Sequence, residues 1–551
     1  MKKPLFIIVL IFFALSSCTK IQNGSSQGTT IGEIQGCGHI SPMNGRHVIN
    51  VQGVVTHKFS NGFSMQSVIK DDLDCSSEGI FVTTTEYPKV VPGQLVSVDG
   101  NVVEYIPGGE KDHNLSRTEI HQPVIKVINQ NYKIPEPIVI DKYTSRIPDK
   151  AIKLTKTFDI ERNGLDYFES LEFMLVEIED GIVVGPKNVY NEFFVLPKSF
   201  IEMNRLSQQN ALLKSETDEN PEKIMVDAAS SFTQKVNVGD ELLQPIIGIM
   251  DYSFANYKIW TISNPVLTKN EIKNNEIKID DELLTIASYN LNNFSRFDKS
   301  SRINKVGCQI VKILKTPDIL ILNEVLDDSG TQDDGITSAD QTLKILVKSI
   351  ADCGGPVYRF SDSPPVDGMD GGVNGGNIRT VVIYKDNDEL FLEKPDDSST
   401  GLKLKNNQFR IQNNPLRLFE DDTAFLGTRK PTIWLFNWKN EQFLVMGLHL
   451  ISQSTNSPDW GDIHPIITPD QEKREKQAIL INEYLSQKSF LQPEPNIIIL
   501  GDFNDYSWSN TLKVLHDNQN FVLLSNEQPE EDYSYIHQGN AFQFDYAFVN
   551  K

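Results

Sequence analysis

The stretch that most constrains this chain is Asn496 to Asp505, reading Asn-Ile-Ile-Ile-Leu-Gly-Asp-Phe-Asn-Asp. Four consecutive apolar residues, Ile497 to Leu500, have the length and branching of a strand buried on both faces. The run stops at Gly501. Asp502 and Asn504 follow two residues apart, so a chain leaving the strand in extended form points both side chains to the same side. A carboxylate and an amide so placed can share one cation or one polarised water, and the strand behind them holds both rigidly. A turn after a strand uses the same residue types for its own reasons, so the stretch gains meaning only from its company.

At 551 residues the chain is too long for one core, and its length suggests about three domains. The net charge of -22 with 23% charged residues describes an acidic globular surface. It excludes a protein that coats nucleic acid by bulk attraction. Any polyanionic substrate must be met by a local basic site or by bound cations.

Residues 1–18 read as an address. Lys2 and Lys3 precede an apolar run from Leu5 to Leu15, too short to span as a stable helix, and Leu15-Ser16-Ser17-Cys18 follows. That tetrapeptide resembles a lipobox, which implies cleavage before Cys18 and lipid attachment to its thiol. The expectation is an exported lipoprotein, membrane-anchored through Cys18 and facing the periplasm or the cell exterior. Residues 19–30, rich in Gly, Ser, Thr, Asn and Gln, suit a flexible tether. Four cysteines remain. Pairing within domains, Cys37 with Cys75 and Cys308 with Cys353, is the simplest of three connectivities.

Residues 31–128 read as all-β, with short alternating runs punctuated by Asn61-Gly62, Pro92-Gly93 and Asp99-Gly100. This is a small barrel or sandwich. Phe59, Phe63 and Phe81 either fill it or offer stacking faces. Beyond Pro135 and Pro137, residues 138–267 form a second mainly β region with a polar stretch, Ser207 to Glu222, expected as an exposed loop. No chemistry stands out there. Residues 268–281 read as a charged connector. From 282 to 551 strands alternate with helices: strands at Leu283 to Tyr289 and Asp318 to Leu322, helices from about Arg302 to Leu314 and at Ala339 to Ile350. A further helix from Asp470 to about Leu485 is announced by Thr468 as N-cap and Pro469 at the first position. Arg474 and Gln477 lie on it, turned either to solvent or to a site. Gly368 to Gly376 reads as a mobile loop near the cleft.

In this last domain Asp502 and Asn504 have company. Ser288-Tyr289-Asn290-Leu291-Asn292 puts two amides two apart at a strand exit, Leu322-Asn323-Glu324 leaves an acid at another, Gly447-Leu448-His449 ends a third, and Phe544-Asp545-Tyr546 opens the last. In an α/β sheet such positions converge at one edge. Hard Mg2+, Mn2+ or Ca2+ ions take carboxylate and amide oxygens, which Glu324, Asn290, Asn292, Asp502 and Asn504 offer. His449 can donate a proton or a hydrogen bond to a phosphate.

In this order the motifs resemble the endonuclease/exonuclease/phosphatase superfamily: Tyr-Asn-x-Asn at Tyr289 to Asn292, the strand-end acid Glu324, the strand-end His449, Gly-Asp-Phe-Asn at Gly501 to Asn504, and Asp545-Tyr546. The resemblance implies a multidomain chain in which all-β modules, the first OB-fold-like, precede an α/β four-layer sandwich. It also implies catalytic roles for His449, Asp502 and Asp545, and phosphate-facing side chains at Arg379, Arg429 and Lys430. The upstream modules are similar to those of secreted bacterial nucleases, so nucleic acid is the expected substrate, DNA or RNA. No protein partner is inferable. The superfamily normally closes with a Ser-Asp-His segment, and the chain stops six residues after Asp545 without one; a fragment, a premature stop and a loss of catalysis are the three explanations. A phospholipid or inositol-phosphate hydrolase of the same fold, or a binding lipoprotein without turnover, are the rival functions.

Overall fold

The computed structural model describes residues 28–144, 147–148, 150–270, 277–280, 282–396, 401–405, 408–454, 457–487, 496–516, 520–524 and 533–550. Cys18 and the rest of the expected signal segment lie outside them, as do parts of the tether and connector. No described helix is long and apolar enough to cross a membrane.

After a one-turn helix α1 (Ile31–Gln35), five strands close a barrel: β1 (His47–Phe59), β2 (Gly62–Gln66), β3 (Gly79–Thr83), β4 (Leu95–Tyr105) and β5 (Arg117–Asn129). Their order is β1-β2-β3-β5-β4, with β3 and β5 parallel. Alternation drives the closure: Val96, Val98 and Val102 of β4 point inward onto Val51, Val55 and Phe63. Cys37 and Cys75 form a disulfide with Cα atoms 5.1 Å apart.

The second domain is one mixed sheet of β6 (Ile138–Val139), β7 (Leu175–Ile178), β8 (Gly181–Gly185), β9 (Glu192–Pro197), β10 (Ile224–Asp227), β11 (Ile246–Ser253) and β12 (Asn256–Thr261), ordered β6-β7-β11-β12-β10-β9-β8, with helix α2 (Gly164–Glu169) packed on it. It joins the barrel through an apolar seam where Phe81 meets Phe173, Leu175 and Ile249, with Phe59 beside them. Phe63 is sealed inside the barrel. The three barrel aromatics are therefore committed to packing.

The C-terminal domain places two sheets face to face. One contains β13 (Ile286–Phe294), β14 (Ile319–Val325), β15 (Arg359–Ser361) and β16 (Arg379–Tyr384), in the order β13-β14-β16-β15. The hairpin β18 (Leu402–Lys405) and β19 (Gln408–Ile411) stands apart from it. The other runs β17 (Leu390–Leu392), β21 (Thr432–Trp438), β22 (Glu441–His449), β23 (Asn496–Asp502), β27 (Asp545–Asn550) and β24 (Phe521–Leu524), with β20 (Leu416–Arg417) paired to β21. A last hairpin, β25 (Tyr535–His537) and β26 (Asn540–Phe542), precedes β27. Ile319, Ile321 and Val382 meet Trp434, Val445 and Leu500 between the sheets. Each such side chain contributes about 1.5–3 kcal/mol by leaving water. Helices α3 (Ser300–Lys312) and α4 (Asp340–Asp352) cover the first sheet, and α5 (Gln471–Leu485) and α6 (Asn510–His516) cover the second. Cys308 and Cys353 join α3 to the end of α4, with Cα atoms 5.3 Å apart.

Three expectations change. The first strand runs on through Asn290 and Asn292 to Phe294, because β13 continues to pair with β14 there. Helix α5 starts at Gln471 with Asp470 as N-cap and no side-chain cap; the amide of Gln471 bonds the Thr468 carbonyl instead. The stretch Ser207 to Glu222 is not simply an exposed loop: Ala211, Leu212 and Leu213 are buried, and the backbone at Leu212 and Lys214 bonds Ala541 of the C-terminal domain.

Candidate active site

Strand register assembles the site. Parallel pairing of β22 with β23 sets His449 opposite Asp502, and antiparallel pairing of β23 with β27 sets Asp545 opposite Asp502 from the other side. In the facing sheet, β13 and β14 place Asn290 opposite Asn323. Asn323 is fully buried and ties the sheets together, donating to the Leu448 carbonyl at 3.0 Å and accepting from Thr380 Oγ1 at 2.9 Å. This crosslink sits one residue from both Glu324 and His449. It gave no sign in the sequence beyond an amide next to the strand-end acid.

Two backbone features aim the carboxylates. Glu324 has φ 61°, a left-handed conformation in which a non-glycine residue stores on the order of 1 kcal/mol or more. It falls where the register of β14 against β16 shifts. At Gly501, φ is 140° and a Cβ would lie 2.1 Å from the Leu448 carbonyl oxygen, so glycine alone permits the close approach of β22 to β23.

The functional groups then meet. Asn290 Nδ2 donates to Glu324 Oε1 at 3.0 Å and to Asp502 Oδ2 at 2.9 Å. His449 Nε2 lies 3.8 Å from Glu324 and 3.9 Å from Asp502. One ligand atom from each of Glu324, His449 and Asp502 falls within 4.8 Å of the others. Asn504 donates its backbone amide to Asp502 Oδ1 at 2.8 Å and its side-chain amide to the Leu450 carbonyl. Asn292 is exposed on the cleft wall, its amide bonded to Asn290 Oδ1. The group opens into a cleft of about 750 Å³.

Electrostatics show what the cluster lacks. Burial, and then the charge of Asp545, pushes Asp502 up to about 7. Burial pushes Asp545 up to about 6. His449 moves the other way, well below its ordinary value, through burial and then the nearby Arg429 guanidinium, and is therefore neutral at pH 7. In this state it offers a hydrogen bond rather than an acidic proton. His449 Nδ1 and Asp545 Oδ1 are buried without a partner. Two crowded carboxylates beside a neutral imidazole fit a hard divalent cation, whose charge would relieve the desolvated acids.

None of the three basic residues expected to face phosphate lines the cleft. Arg379 is 1% exposed and spends its donors on the Asn377 carbonyl and Asp362. Lys430 bonds Asp370 at 2.9 Å together with the Met369 and Thr428 carbonyls, and Arg429 donates to the Leu450 carbonyl at 2.6 Å. They hold loops. The glycine-rich segment is anchored the same way, since its Asp370 is gripped by both Lys430 and Arg417. Arg474 and Gln477, open between solvent and site in the sequence, are fully buried behind it. Arg474 pairs with Asp505 at 3.1 Å and donates to the Ile451 carbonyl, while Gln477 receives the Ile451 amide. They fix the chain that leaves His449. Their spacing on one face of α5 was the available signal, and the charge of Arg474 masked it.

Convergent carboxylates, amides and imidazole at the abutting edges of two packed sheets make a site that could hold a divalent cation. Residues 287–551 match the Endonuclease/Exonuclease/phosphatase family, and this part of the chain belongs to it, a family of divalent-metal-dependent hydrolases acting on phosphodiesters or phosphate esters. Residues 127–271 match a domain of unknown function, DUF8508. No curated protein matches the chain. Similar solved structures include humanized D. rerio TDP2 with 14 mutations (15% identity, 48% of this chain and 83% of that one, TM-score 0.30). A mannosyl-6-phosphatase from Bacteroides thetaiotaomicron (16%, 49% and 85%, TM-score 0.28) and the human Nocturnin catalytic domain with bound sulfate (14%, 48% and 81%, TM-score 0.28) are others. Likeness this distant does not extend to substrate.

Proposed function

We propose that the C-terminal domain hydrolyses phosphodiester bonds of nucleic acid with Mg2+ or Mn2+ held by Glu324, Asp502 and His449. The observation that carries this reading is the set of raised carboxylates around the neutral His449 at the floor of the cleft. When bound, the cation neutralises charge on the phosphoryl oxygens. Asn290, donating to both Glu324 and Asp502, holds the two acids in register for it. His449 would hold the cation through Nε2, which faces Glu324 and Asp502, and Asp545, paired beside Asp502, would take the proton of an incoming water.

Plasmid nicking tests this. Activity should require Mg2+ or Mn2+, vanish in EDTA, and fall by roughly a thousandfold or more in Asp502→Ala. Equal nicking by Asp502→Ala would remove the reading. We read the barrel as OB-like, supported by its β1-β2-β3-β5-β4 order; with its aromatics packed away, it serves as a support rather than a stacking platform. The reading also places the protein outside the cytoplasm, anchored through Cys18. Persistence of Cys18→Ala in the membrane fraction would refute that anchor.

A further inference from the structure

An acidic chain needs a cation wherever it grips a polyanion, and the cleft holds few. Among the described residues lining it, Lys214 is the one Lys or Arg, against Glu324, Asp459, Asp502 and Asp545. It comes from the middle domain. Its position is set by backbone bonds across the domain boundary: the Lys214 amide donates to the Ala541 carbonyl at 3.0 Å, and the Ala541 amide to the Leu212 carbonyl at 2.7 Å. Asn220 adds a side-chain bond to Asn540 at 2.8 Å. The ammonium stands 5.6 Å from the centre of the Tyr506 ring, which lines the same cleft. Burial opposes its charge, but Asp459 and other neighbours outweigh that and keep Lys214 above the ordinary lysine range. Tyr535, which lines the same cleft, is 50% exposed and has the rings of His537 and Phe544 stacked near it.

We infer that the middle domain completes the active-site cleft, with Lys214 binding the phosphate next to the one hydrolysed in a single-stranded polynucleotide. This rests on the nuclease reading above. Arg379 and Lys430 cannot serve, since their donors are spent inside the domain, and Arg429 is buried and does not line the cleft. A lysine carried by a separate domain would make recognition of a chain, rather than of an isolated phosphate ester, depend on the docking of that domain.

The test uses the full chain, Mg2+ and a fluorescein-labelled phosphorothioate tetrathymidylate, followed by fluorescence polarisation. Lys214→Ala should weaken binding by about tenfold or more, and Lys214→Arg should retain most of it. The slope of log affinity against log salt should shrink by about 0.7 in Lys214→Ala, a change that a purely structural role would not produce. Unchanged affinity and slope, or equal loss in Lys214→Arg, would overturn the inference, as would failure of the wild-type chain to bind. A second reading separates the two proposals. The ratio of kcat/KM for unmodified tetrathymidylate to that for bis(p-nitrophenyl) phosphate should fall in Lys214→Ala. If the wild-type chain binds but hydrolyses neither ester, the nuclease reading fails while Lys214 stands as a polynucleotide ligand; if both rates fall in proportion, Lys214 has no role in chain recognition.

Discussion

Two histidines in this protein each sit beside two carboxylates, and one is charged while the other is neutral. His39, at the seam between barrel and middle domain, bonds Asp166 at 2.8 Å and Glu169 at 3.2 Å. Burial works against its proton, yet those two bonds outweigh it and raise the group to about 9. His449, in the cleft, stands 3.8 and 3.9 Å from its acids, too far for a hydrogen bond, and burial wins. At the same seam Arg117 joins Glu119 at 2.8 Å and Asp251 at 2.7 Å. In the cleft the acids keep their unmet charge, which is what a site requires if a cation and an anionic substrate are to complete it.

Breaking the seam should have the largest effect on folding. Arg117→Met leaves Asp251 buried without the guanidinium that bonds it and should cost about 3–5 kcal/mol in urea unfolding. A loss below about 1 kcal/mol would mean the seam is not held by its ion pairs. The next effect is in pH. The raised value of His39 stabilises the fold fully below its ordinary 6.5, and that contribution fades as pH climbs through about 9. It amounts to at most about 3 kcal/mol. Melting temperature should therefore decline across that window, and His39→Gln should flatten the decline; an unaltered profile in the variant would argue against a charged His39. The smallest shift belongs to the cleft. Mg2+ should raise the melting temperature of the wild-type chain by a few degrees and do nothing for Asp502→Asn, as read by differential scanning fluorimetry. An equal rise in both would put the cation elsewhere.

The sequence announced Glu324, His449, Asp502 and Asp545 because each ends or opens a strand whose apolar run is visible locally, and register then brings the four together. It did not show the internal partners of Arg379, Arg429, Lys430 and Arg474. A basic side chain near a site motif reads as a ligand for phosphate or as a solvent-facing charge until its internal acceptors, Asp362, Asp370, Asp505 and the Leu450 and Ile451 carbonyls, are known. Those acceptors lie up to 60 residues away, as with Lys430 and Asp370, so no local pattern predicts them.

By itself, then, the sequence determined the alternation of strands with helices after residue 282, the punctuation of the upstream β regions, and the identity of the chemically capable strand ends, all of which follow from periodicities of two and 3.6 residues. Only the tertiary structure decided which charges are neutralised and which are left for a ligand. It alone moved the polar stretch around Leu212 and Lys214 from an expected exposed loop to the wall of the cleft, because that placement depends on backbone bonds to Ala541, more than 300 residues further along the chain.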